Sequence, residues 1–395
     1  MHQYIHNNLG MSSLTIVFPA GPAYESYGTR GTSHLMEHLV CKTYNHLRDE
    51  LQMKGIMDDA ITDDEGVYIV FSGLSEELDP MQKLLVDTIT GGIDCVTEEM
   101  FNSEKKTVLA EIGSMRESPV SALEMFGLRK FCNYYAAPGC ECDVEKFSYD
   151  DMKRVYTERF TRPLNIISIG PRGINLPGVK FSTPEEFRER TLTFNPGGFT
   201  CDTIDDIDCE RYTPFIHMTR LVSKEDYPKM FLGIKMLTDG LNSPIETEIR
   251  EKRGLCYNFV NDLVVSRDSA IFIFGGYAPT ENMNEIERLY DELICNVGRF
   301  LTEERFNVCK KMAMVSRDKR NILRFANVDD LLAVGRLNQF DGLDDITFGQ
   351  VFDTVKKYIN PETIVRIRPV EEKTTDDNGN EDVTWPVRIS YSTKA

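Results

Sequence analysis

The chain has no basic excess. Its 395 residues carry 45 Lys and Arg against 63 Asp and Glu, a formal net charge of −18. Without surplus cations it cannot displace counterions from a phosphate backbone, which excludes nucleic acid from the expected partners. No apolar run approaches the ~20 residues that span a bilayer, so no membrane span is expected. The opening MHQYIHNNLG has neither a charged-then-apolar signal pattern nor an Arg-rich amphipathic leader. Ten cysteines form no CxxC, and in so long a chain they do not read as a disulfide framework; the closest pair is Cys140 and Cys142. Reduced, structural thiols in a cytoplasmic setting are the expectation. Only six histidines occur, and Trp385 is the single tryptophan.

What is present is ordinary globular composition, 41% hydrophobic and 27% charged, long enough for two or three cores. It is also duplicated. VTEEMFNSEKK at Val96–Lys106 recurs as LTEERFNVCKK at Leu301–Lys311. Upstream, YIVFSGL at Tyr68–Leu74 matches IFIFGGY at Ile271–Tyr277; downstream, FTRPLNIISIGP at Phe160–Pro171 matches YINPETIVRIRP at Tyr358–Pro369. Three matches in one order imply two homologous halves, since a solenoid repeats every 20–50 residues.

Each half reads as an alternating strand, a helix with a core face (Met81, Leu84, Leu85, or Ile286, Leu289, Leu293), and a second helix opening at Thr97 or Thr302 with acids in its first turn. A further amphipathic helix ends before Pro163 or Pro361 and leads into an apolar strand. No glycine-rich phosphate loop interrupts this order. The expected fold is α+β: two homologous domains, each a mainly antiparallel sheet with helices on one face. The boundaries read as residues 1–178, a Pro- and charge-rich linker over 179–198, and 199–395. Asn378-Gly379 is a hairpin-turn signal in the tail.

Two of the six histidines lie in SHLMEHL, as His34 and His38 with Glu37 between them. On a helix, i and i+4 share a face and i+3 lies beside it, so two imidazoles can grip one metal next to a carboxylate. Thr32 or Ser33 would cap such a helix. A catalytic zinc takes three protein ligands and keeps one position open. SEKKTVLAEIGSM offers Glu104 and Glu111, seven apart and hence on one helical face, for the third ligand. Glu37 would be the general base for a water. Two solvated or core histidines on an ordinary helix are the competing reading. Against it, the second half has Cys309 and Ser316 at the positions of Glu104 and Glu111, and its only histidine is His217. One half keeps the polar set and the other keeps only the flanking pattern, as a site rather than a fold requirement would.

HxxEH with a Glu about seventy residues further on resembles the inverted zinc peptidases of the pitrilysin/insulinase (mitochondrial processing peptidase-like) family. The resemblance covers nearly the whole chain: GPAYESYGTRGTSHLMEHLV resembles the stretch into the zinc helix, DAITDDEGVYIVFSGL the substrate-pairing strand and the next one, and EIREKRGLCYNFV the second-half signature. It implies one Zn²⁺ per chain on His34, His38 and Glu111, Glu37 as base, and Glu104 as a supporting acid. It implies that Arg250 and Tyr257 hold substrate, and that Ala60 and Thr62 lie on an edge strand to which a peptide adds. Asp59 departs from the family, which usually has Asn there; an ionised Asp cannot donate an amide hydrogen bond. The short, two-domain form of the family pairs its chains, and the presence of both residue sets here implies a homodimer enclosing a chamber.

The implied activity is zinc-dependent endoproteolysis of unfolded peptides or small polypeptides, with cationic ones favoured by the acidic chain. The alternative is a catalytic or scaffold subunit inactive without a different partner chain. A cysteine hydrolase built on Cys41, three residues after His38, is a further reading.

Overall fold

The computed structural model describes residues 1–132, 137–183, 211–238, 243–265, 269–322, 340–369, 372–375, 381–384 and 387–391, together with positions 186, 188 and 209. The strands are β1 (His2–His6), β2 (Met11–Phe18), β3 (Met57–Asp63), β4 (Gly66–Leu74), β5 (Asn165–Gly170), β6 (Tyr212–Leu221), β7 (Asn258–Val265), β8 (Ala270–Pro279), β9 (Val365–Pro369), β10 (Glu372–Thr375), β11 (Glu381–Thr384) and β12 (Val387–Tyr391). The helices of the first half are α1 (Thr32–Lys42), α2 (Arg48–Met53), α3 (Ser75–Leu78), α4 (Gln82–Gly91), α5 (Glu98–Glu117), α6 (Pro119–Phe131), α7 (Glu141–Lys146) and α8 (Tyr149–Val155). Those of the second half are α9 (Tyr227–Thr238), α10 (Met283–Cys295), α11 (Glu303–Ile322) and α12 (Phe348–Tyr358). No helix among the described residues is long and apolar enough to cross a membrane.

Two five-stranded sheets carry the fold, ordered β1-β5-β2-β4-β3 and β12-β9-β6-β8-β7. All pairs are antiparallel except β1 with β5. The two-domain α+β reading therefore holds. The duplication is also visible in detail. α5 and α11 are both 20 residues long, and Thr97 and Thr302 each accept a free N–H from the first turn of their helix, at 3.2 Å from Met100 and Arg305. Ser148 with Asp151 and Thr347 with Gln350 form matching capping boxes on α8 and α12. Lys105 and Lys310 each donate to two backbone carbonyls, of Glu145 and Phe147 and of Asp344 and Ile346.

In the first compact unit, which includes residues 1–115 and 135–190, Val67, Ile69 and Phe71 alternate along β4 into the core. They pack with Leu35, Met36, Leu39 and Val40 of α1 and with Leu85, Val86 and Ile89 of α4. Leu84, expected on that core face, is 46% exposed instead; α4 turns Met81, Leu85, Val86 and Ile89 inward, and position 84 falls outside that stripe. The start of the presumed linker is packed: Val179 and Phe181 lie against this core, and Arg188 N–H donates to Tyr24 Oη at 3.0 Å. Most of the rest of 179–198 lies outside the described residues.

The second unit takes residues 116–134 from the first half of the sequence. Leu123 and Leu128 of α6 pack on the sheet face formed by Ile216, Met218, Ile271, Ile273 and Ile367, while Phe272 and Phe274 face the helices on the other side. β8 is thus buried on both faces, which is why it is apolar at consecutive positions rather than alternating. α6 lies close enough to the sheet that a Cβ on Gly127 would sit 2.2 Å from Ile367 Cδ1. Contiguous boundaries cannot express this assignment of α6. β10 and β11 pair antiparallel, Thr375 opposite Glu381; Asn378-Gly379 and Trp385 lie outside the described residues.

Candidate metal centre

α1 buries one stripe in the core and turns His34, Glu37 and His38 along its flank. Neither Thr32 nor Ser33 caps it. The Thr32 hydroxyl donates to Thr29 O at 2.8 Å, and Ser33 Oγ accepts the Gly21 N–H at 2.8 Å. The N-cap is Gly31 at φ 89°, a left-handed conformation that suits glycine. The free amides are held by a carboxylate from the preceding loop: Glu25 Oε1 accepts from Ser33 N–H at 2.7 Å and Oε2 from Gly31 N–H at 2.9 Å. Burial pushes the Glu25 carboxyl up, opposed by those two amides. The loop is held from α7 as well, where Asp143 Oδ2 accepts from the amides of Gly28 and Arg30, both at 3.1 Å, and from Arg30 Nε at 2.8 Å.

α5 supplies the second wall. Glu111 Oε2 lies 3.5 Å from His34 Nε2 and 3.7 Å from His38 Nε2, and the imidazole centroids are 4.9 Å apart. One ligand atom from each of the three residues falls within 4.8 Å of the others. Glu104, one heptad before Glu111, instead pairs with His38 Nδ1 at 3.2 Å and with Lys42 Nζ at 2.8 Å. A carboxylate on Nδ1 leaves the Nε2 lone pair of His38 directed at Glu111. Burial opposes ionisation of Glu104, but Lys42 and His38 outweigh it and hold the carboxyl below its usual range. Burial, then the neighbouring His38, lowers His34 to about 4, so its ring is neutral at neutral pH with a lone pair to offer. Two imidazoles and a carboxyl group, each with an inward-facing atom, fit a divalent zinc-like cation with an open fourth position.

Glu37 is 8% exposed, and Thr62 Oγ1 donates to its Oε2 at 2.5 Å. Burial pushes the Glu37 carboxyl up, and the Thr62 hydrogen bond opposes this. Thr62 and Ala60 share one face of β3, which pairs with β4 at Thr62–Val67 and Ala60–Ile69 and ends the sheet. Asp59 Oδ1 accepts the Ala60 N–H at 2.9 Å, so its carboxylate acts as an acceptor on this edge.

Arg250 and Tyr257 come together within the second unit, the guanidinium carbon 4.3 Å from the ring centroid. Tyr257 is 73% exposed, which excludes a core aromatic. Arg250 is also paired with Glu246 at 3.2 Å. His217, between the rings of Phe274 and Tyr290, is buried and lowered to about 3 by that burial. Cys41 makes no nucleophile: it packs against the core, out of a substrate's reach, and burial pushes its thiol up to about 11. Three contributors were missed by sequence reasoning. Lys42 carried a signal, lying four residues after His38 on the same face; Glu25 and Asp143 carried none.

Residues 4–133 match the model described as Insulinase (Peptidase family M16), and residues 215–313 match that described as Peptidase M16 inactive domain. No curated protein sequence matches the chain. Among solved structures, a protease from Helicobacter pylori is similar at 15% identity and a TM-score of 0.72, over 92% of this chain and 95% of that one. A peptidase M16 inactive domain from Pseudomonas fluorescens is similar at 15% identity and 0.71, over 92% and 93%. A chain of Complex III2 from Candida albicans is similar at 16% identity and 0.70, over 92% of each. With both halves matched by models of one family, and the same fold along nearly the full length of these structures, the chain belongs to the insulinase family, peptidase family M16.

Proposed function

We propose that the chain is a zinc-dependent endopeptidase acting on unfolded peptides or small polypeptides. The observation that carries this is the convergence of His34 Nε2, His38 Nε2 and Glu111 Oε2 beside a buried Glu37 that Thr62 already holds. His34, His38 and Glu111 would hold the cation, whose Lewis acidity acts on a water molecule and on the scissile carbonyl. Glu37 takes the water proton at Oε1, the oxygen that Thr62 leaves free, and returns it to the leaving amine. Glu104 keeps His38 in the tautomer that presents Nε2. An extended peptide adds to the edge of β3, and Arg250 and Tyr257 hold it from a second copy of the chain in a homodimer. The acidic surface favours cationic peptides, and the thiols suit a reducing cytoplasm.

The test is turnover of a mixture of unstructured peptides by the purified chain and by Glu37→Gln, zinc supplied to both. Cleavage by the wild type and none by the variant, with equal zinc content, is expected. Equal cleavage by both would remove Glu37 as the base.

A second reading has a specific observation behind it: the likeness to a peptidase M16 inactive domain and to a chain of Complex III2 from Candida albicans. On that reading the chain is a catalytic or scaffold subunit that is silent without a different partner. Zinc binding without cleavage by the lone wild-type chain favours it.

A further inference from the structure

Cys140 and Cys142 flank one residue where the chain enters α7, with Cys140 as its N-cap. Their sulfurs are 2.9 Å apart, inside the ~3.5–4.0 Å at which unbonded heavy atoms rest. Residues two apart at a helix start have Cα atoms about 5.4 Å apart, within the ~4.4–6.8 Å that a disulfide spans. Cys142 is exposed and Cys140 half-buried, so an oxidant can reach the pair. A shared cation fits less well. The third donor on offer, Asp143, already gives Oδ2 to three N–H groups. The Arg30 guanidinium, 4.0 Å from Cys142 Sγ, would repel a cation there.

The pair sits on the seat of the metal-binding helix. Cys140 N–H donates to Arg30 O at 3.3 Å, and a Cβ on Gly139 would fall 2.2 Å from Gly31 N. Asp143 holds the amides of Gly28 and Arg30, and its other oxygen, Oδ1, accepts the Cys142 S–H at 3.3 Å.

We propose that Cys140 and Cys142 form a reversible intramolecular disulfide, and that closing it loosens the grip of Asp143 on the loop that seats α1. With oxidised glutathione as the oxidant, the Cys142 thiolate attacks one glutathione sulfur and the first glutathione thiolate leaves. The Cys140 thiolate then attacks Cys142 Sγ and the second leaves. The two cysteines lose two electrons and two protons, and one oxidised glutathione becomes two reduced ones. As Cys142 Sγ swings toward Cys140, Asp143 Oδ1 loses its S–H donor, one of the bonds that fix the orientation of the carboxylate whose Oδ2 holds the Gly28 and Arg30 amides. The hydrogen bond with Cys140, then burial, pushes the Cys142 thiol up to about 11, so closure speeds up roughly tenfold per pH unit through the neutral range.

The test needs no catalytic activity. The full chain is equilibrated in glutathione buffers from reduced to oxidised, trapped with N-ethylmaleimide and digested, and the peptide carrying both cysteines is weighed. Conversion from a doubly labelled peptide to an unlabelled one two hydrogens lighter than the dithiol is expected. Hydrogen exchange at the Gly28 and Arg30 amides should quicken roughly tenfold on oxidation, the loss of about one hydrogen bond, and stay constant across the same buffers in Cys142→Ser. Double labelling that persists in oxidised buffer, a stable glutathione adduct at Cys142, or protection only after adding zinc overturns the linkage. Unchanged exchange in the linked protein overturns the coupling to α1.

Discussion

The Thr62 hydroxyl donates to Glu37 Oε2 at 2.5 Å, joining the edge strand to the helix that bears both histidines. Burial alone would favour the neutral acid at Glu37, and this hydrogen bond favours the carboxylate. Thr62→Val should cut turnover roughly tenfold to a hundredfold, the cost of leaving a buried oxygen without its donor, with zinc content unchanged. The acid limb of the kcat profile should move to higher pH, because removing a bond to the charged form raises the pKa. Thr62→Ser should restore both. Steady-state kinetics across pH check this; a Val variant with the wild-type profile would refute it.

Glu104 acts through His38 and should touch no substrate. Glu104→Gln should weaken zinc retention about 10- to 100-fold, the usual effect of losing a carboxylate behind a ligating histidine. It also leaves Lys42 without its carboxylate partner. Competition with a chromophoric chelator measures the affinity, and saturating zinc should recover most of the activity. Loss that zinc does not recover would make Glu104 a direct participant instead.

Acid should release the loop before α1. Burial works against ionised Asp143, yet the hydrogen bonds from Arg30 prevail and bring its carboxyl down to about 2. A carboxyl depressed in the folded state stabilises fully above its unfolded value near 4 and loses that contribution as pH falls toward 2. Asp143→Asn should therefore cost about 1–2 kcal/mol at neutral pH, and the gap from wild type should shrink between pH ~4 and ~2. Urea unfolding at a series of pH values reads the gap; a constant difference would count against the assignment.

If Arg250 and Tyr257 serve the partner's site, two dead variants should rescue each other. In an equal mixture of Glu37→Gln and Arg250→Ala chains, half the dimers are mixed and each has one complete site. About a quarter of wild-type activity should return. A mixture as inactive as its components would place the pair elsewhere.

Much of this architecture was legible along the chain because it is periodic. The four-residue spacing of His34 and His38 and the seven-residue spacing of Glu104 and Glu111 translate into helix faces by covalent geometry alone. α5 and α11, with their Thr97 and Thr302 caps, likewise follow from local chemistry. Leu84 shows the limit of such reading: it lies next to buried Leu85, and only the packing of α4 decides which of them faces inward.

The sequence by itself determined the duplication, the α+β order, the candidate donors and the family they resemble. Tertiary structure alone decided that Glu25 rather than Thr32 or Ser33 caps α1, that Asp143 clamps its seat, that Thr62 holds Glu37, and that α6 covers the second sheet. Each of these joins elements separated by a loop or by much of the chain. Loop-closure cost rises only slowly with length, so no particular spacing is selected and none can be read in advance.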